Sequence, residues 1–157
     1  MMIRVVALAG LLSCLSATAL ACGDSLFRVG QGVSYRVYTA PLPGSVLVYG
    51  QTEGGKMLAE ALAQSGHGVL LVQSEAELQA ELEKGGYDVV IAPYSDHQSV
   101  ESTTGATNSS EAVYLPVALS KEEEKQAEQS YAQVMNAEND EIKHYLKAIH
   151  KTLKANP

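Results

Sequence analysis

Asp96 and His97, placed just after the apolar run Val89-Val90-Ile91-Ala92, are the side chains in this sequence best suited to chemistry. A carboxylate next to an imidazole can work as an acid/base pair or supply two ligands to a metal ion. If the run is a strand, the pair sits where that strand ends, with Tyr94 and Ser95 beside it. Parallel neighbours would bring Gln51, Thr52 and Ser120 to the same edge. That crevice is where open α/β sheets take ligands, at the switch in strand order. Gln51, Thr52, Tyr94, Ser95, Asp96, His97 and Ser120 therefore form the candidate ligand-binding set.

Each of these residues also has a plainer role. Ser95 and Asp96 suit the start of a helix, where short polar side chains cap free amides and acids meet the positive end of the dipole. No second histidine or cysteine stands at ligand spacing from His97, so no metal site is expected. His67 falls in the turn before another strand, at the opposite end of the sheet. His144 and His150 lie on different faces of one helix and read as solvated surface. No G-x-S-x-G turn is present to expose a nucleophilic serine. The structural reading of Asp96 and His97 outweighs the catalytic one, and no catalytic residue is assigned.

Gly50-Gln51-Thr52-Glu53-Gly54-Gly55-Lys56 matches the outline of a phosphate-binding loop, G-x-x-x-x-G-K. Its chemistry does not follow. Met57 stands where a hydroxyl should reach the metal, and Glu53 would place a negative charge among phosphates. The stretch reads as a glycine-rich turn from strand to helix, with no nucleotide or other cofactor.

The elements that position these residues come from the hydrophobic pattern. Val46-Leu47-Val48-Tyr49, Val69-Leu70-Leu71-Val72 and residues 87–92 are short apolar runs without polar alternation, as in strands buried on both faces. Residues 112–119 predict a fourth strand, with Pro116 marking a bulge or an edge. Residues 131–135 predict a weaker fifth. Between them lie helices: residues 54–65, one opened by Ser74 with Glu77 and stopped by Gly85-Gly86, and residues 121–129, opened by Ser120 with Glu123. Ser95 with Gln98 can begin a short helix, whereas residues 102–110 are small, polar and uncharged and predict a mobile loop. Ile142, Tyr145, Leu146, Ile149 and Leu153 keep helical spacing on a final helix. Strand and helix in alternation predict an α/β fold, a doubly wound five-stranded parallel sheet in the order 2-1-3-4-5, of the flavodoxin type.

The N-terminus predicts export. Met1, Met2, Ile3 and Arg4 form a short positive leader, residues 5–12 are apolar, and Ala17-Thr18-Ala19 and Ala19-Leu20-Ala21 both suit small-x-small cleavage. Residues 1–21 are read as a signal peptide and residues 45–157 as the folded domain. Residues 22–44 are read as an extended arm, in which Phe27, Val29, Val33, Tyr35 and Val37 alternate with other residues, laid along a sheet edge. Cleavage leaves Cys22 as the sole cysteine, at or near the new terminus, so no internal disulfide is expected. Plain secretion to the periplasm or medium, and lipid attachment at Cys22, both remain open. Arg4 is the only charge in the leader, so the basic count falls from eleven to ten against eighteen acids, a net charge of −8. Such a surface disfavours nucleic acid and anionic lipid. Membrane contact is then expected only through a lipid at Cys22.

The order of elements from residue 45 to residue 154, and Tyr87-Asp88-Val89-Val90-Ile91 in particular, resembles the receiver domain of bacterial response regulators. The resemblance implies the fold, but the reacting groups are absent. The paired acids after the first strand are replaced by Gly50 and Gln51, and the acceptor aspartate falls on Ala92 or Pro93. The lysine after the fifth strand falls near Asn136, and only Ser120 matches the family's hydroxyl. Phosphoryl transfer to a carboxylate needs the acceptor, acids to hold Mg²⁺ and a cation over the phosphate. The resemblance therefore implies a degenerate pseudo-receiver. The expected function is protein–protein interaction by an exported or lipid-anchored domain, through acidic helices or the N-terminal arm. The alternative is a periplasmic small-molecule or metal-binding protein using the crevice.

Overall fold

The computed structural model describes residues 39–106 and 112–156, with backbone only for residues 104–106. The signal peptide, Cys22 and residues 22–38 of the arm lie outside the described residues. Five strands, β1 (Ser45–Tyr49), β2 (Gly68–Val72), β3 (Val89–Pro93), β4 (Val113–Ala118) and β5 (Met135–Asn136), alternate with five helices. These are α1 (Glu53–Gln64), α2 (Glu75–Lys84), α3 (His97–Ala106), α4 (Lys121–Ala127) and α5 (Ile142–Ala155). The sheet is parallel throughout and its order is β2-β1-β3-β4-β5. This is the doubly wound α/β arrangement expected from the sequence.

The central strands β1 and β3 are buried on both faces, which is why they carry no polar alternation. β2, expected as a buried strand, lies at the edge of the sheet with Leu70 40 % exposed and only Val72 buried. Val46, Val48, Val89, Ile91 and Leu115 face α1 and α5, meeting Ala59, Leu62, Tyr145, Leu146 and Ile149. Leu47, Tyr49, Val90 and Ala92 face α2 and α3, meeting Leu78, Leu82 and Val100. Period-two alternation along each strand thus divides the residues between two cores.

Ser74 accepts from the Glu77 N–H at 3.3 Å, while the Glu77 carboxylate accepts from Gln73 at 3.0 Å. Ser120 and Glu123 repeat this at α4, at 3.2 Å and, toward Leu119, 2.7 Å. Each pair satisfies two amides that the helix leaves without partners. Gly85 and Gly86, at φ +69° and +87°, stop α2 in a conformation that a side chain would strain.

Several boundaries differ from the sequence-based expectation. The third strand begins at Val89 rather than Tyr87, although the Asp88 N–H and carbonyl already bond across to Ser45 and Val113 at its foot. Residues 102–106 are helical rather than loop. The Ser102 and Thr103 hydroxyls donate back to the Ser99 carbonyl at 3.2 and 3.0 Å, and Val100 is fully buried as an anchor. The fifth strand keeps only Met135–Asn136, since the Tyr131 N–H closes a turn onto Ala127 at 2.8 Å. β5 pairs with β4 only from Val117 onward, so at Pro116 the strand has a neighbour on the β3 side alone among the described residues. The missing proline donor is tolerated there.

Candidate functional site

At the C-terminal ends of β3 and β4 the chain gathers aromatic rings. Pro93 ends β3, and residues Tyr94–Asp96 make one 3₁₀ turn before α3. That turn stacks the Tyr94 ring on the His97 imidazole, centroids 4.8 Å apart and nearly parallel. The His97 Nδ1 lies 2.8 Å from the Tyr94 carbonyl, which makes it the protonated nitrogen. Tyr131 meets Tyr94 edge-on at 6.2 Å and Tyr114 edge-on at 5.3 Å. Both are favourable quadrupole geometries.

The polar ends of these rings are held as well. The Tyr114 hydroxyl donates to the Pro93 carbonyl at 2.9 Å. The Tyr131 hydroxyl donates to the Glu101 carboxylate on α3. Burial, with the Glu101 carboxylate beside it, pushes the Tyr131 phenol well above its ordinary range. Burial does the same to Tyr114, reinforced by Tyr131 and Asp96. Phenols held protonated in this way are donors and anchors, not nucleophiles. Tyr94, Tyr114 and Tyr131 are half-buried, Asp96 lies close enough to act on Tyr114, and Leu119 just after β4 is 53 % exposed.

The sequence-derived set is brought to one edge of the sheet but divides among separate local duties. Tyr94 and His97 form the stacked pair. Ser95 donates to Asp96 at 3.4 Å, a contact within the turn. Ser120 serves as the cap of α4. Gln51 donates to its strand neighbour Tyr49 at 3.1 Å, and Thr52 stands at the start of α1 without a side-chain capping bond. Tyr114, Tyr131 and Glu101 were not in the set. Tyr114 could have been found from strand parity, which puts it on the face of Ala92, but nothing local in the sequence marks Tyr131.

The glycine-rich turn after β1 has a packing explanation. A side chain on Gly50 would meet the Gly55 Cα at 3.1 Å, and one on Gly55 would meet the Gly50 Cα at the same distance. The backbone of the strand end and that of the first helical turn come close, so a side chain on either side would force the other to give way. Lys56 is paired with Glu53 at 3.5 Å on the helix surface.

The opposite end of the sheet is a fastening. The Gly44 N–H donates to the His67 Nδ1 at 3.2 Å, and the Gly68 N–H donates to the Gly44 carbonyl at 3.0 Å. The Asp88 carboxylate accepts from the Ser45 N–H at 2.7 Å. His67 is 5 % exposed, and its Nε2 has no partner among the described residues. Burial lowers its pKa, so the ring stays neutral. A shallow depression of about 50 Å³ between Tyr87, Asp88, Thr152, Leu153 and Asn156 has room for little more than water. His144, expected as solvated surface, accepts from the Glu141 N–H at 3.2 Å and helps cap α5.

Among the described residues no three His, Cys, Asp or Glu side chains converge as metal ligands, and no helix is long and apolar enough to cross a membrane. Neither a protein-family model, nor a curated protein, nor a solved structure matches this chain.

Proposed function

We propose that this chain is an exported, receiver-like domain that acts by binding a protein partner, without turnover of its own. The observation that carries this reading is the half-buried aromatic cluster Tyr94, Tyr114 and Tyr131, with Asp96 and Glu101 beside it and an exposed Leu119 just after β4. Tyrosines of this kind supply large contact area at little entropic cost and are enriched at interfaces. The acidic rim and the acidic first turn of α4, Glu122, Glu123 and Glu124, favour a partner with a basic face around an apolar anchor.

Loss of phosphotransfer supports the same reading. At the ends of β1, β3 and β5, where a receiver places its acids and lysine, stand Gly50 and Gln51, Ala92 and Pro93, and Asn136. Asn136 is committed to its own turn: its side chain accepts from Glu138 at 2.9 Å and donates to Glu124 at 2.8 Å. The alternative of a small-molecule or metal lobe has less support, because Gln51, Ser95 and Ser120 are each engaged within their own segments. The export reading, with or without lipid at Cys22, rests on the leader alone.

The test is affinity capture from an envelope extract with the wild-type chain and with Tyr131→Ala. The reading expects one partner retained by the wild type and lost by the variant, with a folded circular-dichroism spectrum in both. Equal retention by the variant contradicts a site at the ring cluster. Loss only on deletion of residues 27–38 would move the interface to the arm.

A further inference from the structure

The segment that leads into β1, residues 39–44, is tied by its backbone to the turn between α1 and β2. The Ala40 N–H donates to the Ser65 carbonyl at 2.7 Å, and the Gly68 N–H donates to the Gly44 carbonyl at 3.0 Å. Those bonds join groups that do not titrate. The Gly44 N–H, however, donates to the His67 Nδ1 at 3.2 Å. An imidazole nitrogen accepts only while it carries no proton.

We propose that His67 is an acid-operated catch: protonation of its ring breaks the bond from Gly44 and loosens residues 39–44 from the α1–β2 turn, while the sheet stays folded. An imidazolium is a donor at both nitrogens, so a proton on Nδ1 would point at the Gly44 N–H and two donors would meet. The backbone there has little room to adapt. A carbon added to Gly44 would lie 2.8 Å from the Leu153 side chain and 3.1 Å from the Asp88 carboxylate. The other ring nitrogen gives no relief, because Nε2 is buried and has no partner among the described residues. A charge on this ring, only 5 % exposed, would leave both of its N–H groups without an acceptor.

The charged groups around the turn do not rescue it. Residues 39–44 and β2 carry no ionisable side chain. At the foot of β3, the Asp88 carboxylate is taken by the Ser45 N–H, and the Tyr87 hydroxyl by Glu81. Glu60, the last charge of α1, is exposed. The end of that helix would favour a cation, but the carbonyls of Ala61, Leu62 and Ala63 already accept from Ser65, Gly66 and His67. On α5, His150, Lys151 and Lys154 supply no carboxylate. Burial therefore outweighs the other influences and holds the ring's pKa below 6.5. The unfolded or loosened segment binds the proton more readily, so the catch is closed at neutral pH and opens as pH falls. The inference is independent of the ring cluster at the ends of β3 and β4.

Nuclear magnetic resonance of the full chain tests it, following the His67 ring signals and amide exchange from about pH 7.5 to about pH 4.5, each rate taken relative to the unstructured rate at that pH. The expected result is a fall of about tenfold or more in the protection of Gly44 and Ala40. Its midpoint coincides with that of the His67 ring, while Leu47 and Val90 stay protected. In His67→Gln, which keeps an acceptor but cannot titrate, Gly44 is protected alike throughout. Should that variant not fold, the coincidence of the two midpoints in the wild type decides. Gly44 protection that ignores the titration of the ring, or a ring still neutral at the lowest pH, overturns the proposal. Loss of Leu47 and Val90 together with Gly44, or an equal fall in His67→Gln, overturns it too.

Discussion

The two ends of this sheet use polar groups to opposite effect. At the N-terminal end, Gly44, Ser45, His67 and Asp88 are spent on joining neighbouring segments, and the only buried histidine among the described residues is held neutral there. At the C-terminal end, rings from β4, from the turns after β3 and α4, and from α3 meet among half-buried residues with Asp96 and Glu101 beside them, and Leu119 just after β4 is exposed. Satisfied groups that bridge strands stabilise; partly exposed aromatic anchors with a charged rim recognise. The difference teaches that one parallel sheet can spend its polar groups on joining segments at one end and on tying aromatic rings together at the other.

The sharpest way to break the contrast is at Tyr131. Replacing it with alanine removes two edge-on ring contacts and the hydroxyl bond to Glu101. We expect partner affinity, read by calorimetry or biolayer interferometry, to fall about thirtyfold, equivalent to about 2 kcal/mol. An unchanged affinity would place the interface elsewhere. Gly50→Ala comes next, because its added carbon meets the Gly55 Cα at 3.1 Å and the helix start must shift to accept it. Urea unfolding should show a loss of about 1–3 kcal/mol, with partner binding by the folded fraction unaltered. A neutral result would remove the packing account of this turn.

The opposite end should answer through stability alone. Asp88→Ala breaks the carboxylate bond to Ser45 and is expected to cost about 1 kcal/mol in urea unfolding, since the group is exposed. Partner affinity should not move. The smallest effect concerns His67. Its folded pKa lies below the ordinary value near 6.5, so the unfolded chain binds the proton more readily. Stability is then flat above that value and declines as pH falls through it. His67→Gln keeps an acceptor for Gly44 but cannot titrate. Unfolding midpoints at about pH 7.5 and about pH 5.5 should differ less in the variant than in the wild type. Equal differences would mean that other groups govern the pH response.

Much of the architecture was legible because burial on both faces leaves a plain mark. Val46 to Tyr49 and Val89 to Ala92 are runs that suit a covered parallel strand. Val69 to Val72 reads the same way, although it proves to be the edge with Leu70 exposed, and the stripe of Ile142, Tyr145, Leu146 and Ile149 has one helical interpretation. The two serine caps were legible for the same reason, since Ser74 with Glu77 and Ser120 with Glu123 are local patterns with local bonds. The helix at residues 102–106 was hidden because its hydroxyls satisfy themselves on Ser99, which composition does not reveal. The ring cluster was hidden for a deeper reason. Tyr94, Tyr114 and Tyr131 are far apart in sequence, and only strand order and the turn at Ala127 bring them together. Reading residues 131–135 as a strand sent Tyr131 to the wrong task.

Leu119 and Leu42 offer a matched pair for the decisive measurement, for both are exposed leucines, 53 % and 42 %, at opposite ends of the sheet. A photoreactive amino acid at one position or the other, irradiated in intact exporting cells, reports which end meets another protein. The account predicts an intermolecular adduct from position 119 and none from position 42. Adducts from 42 alone, or equally from both, would contradict it.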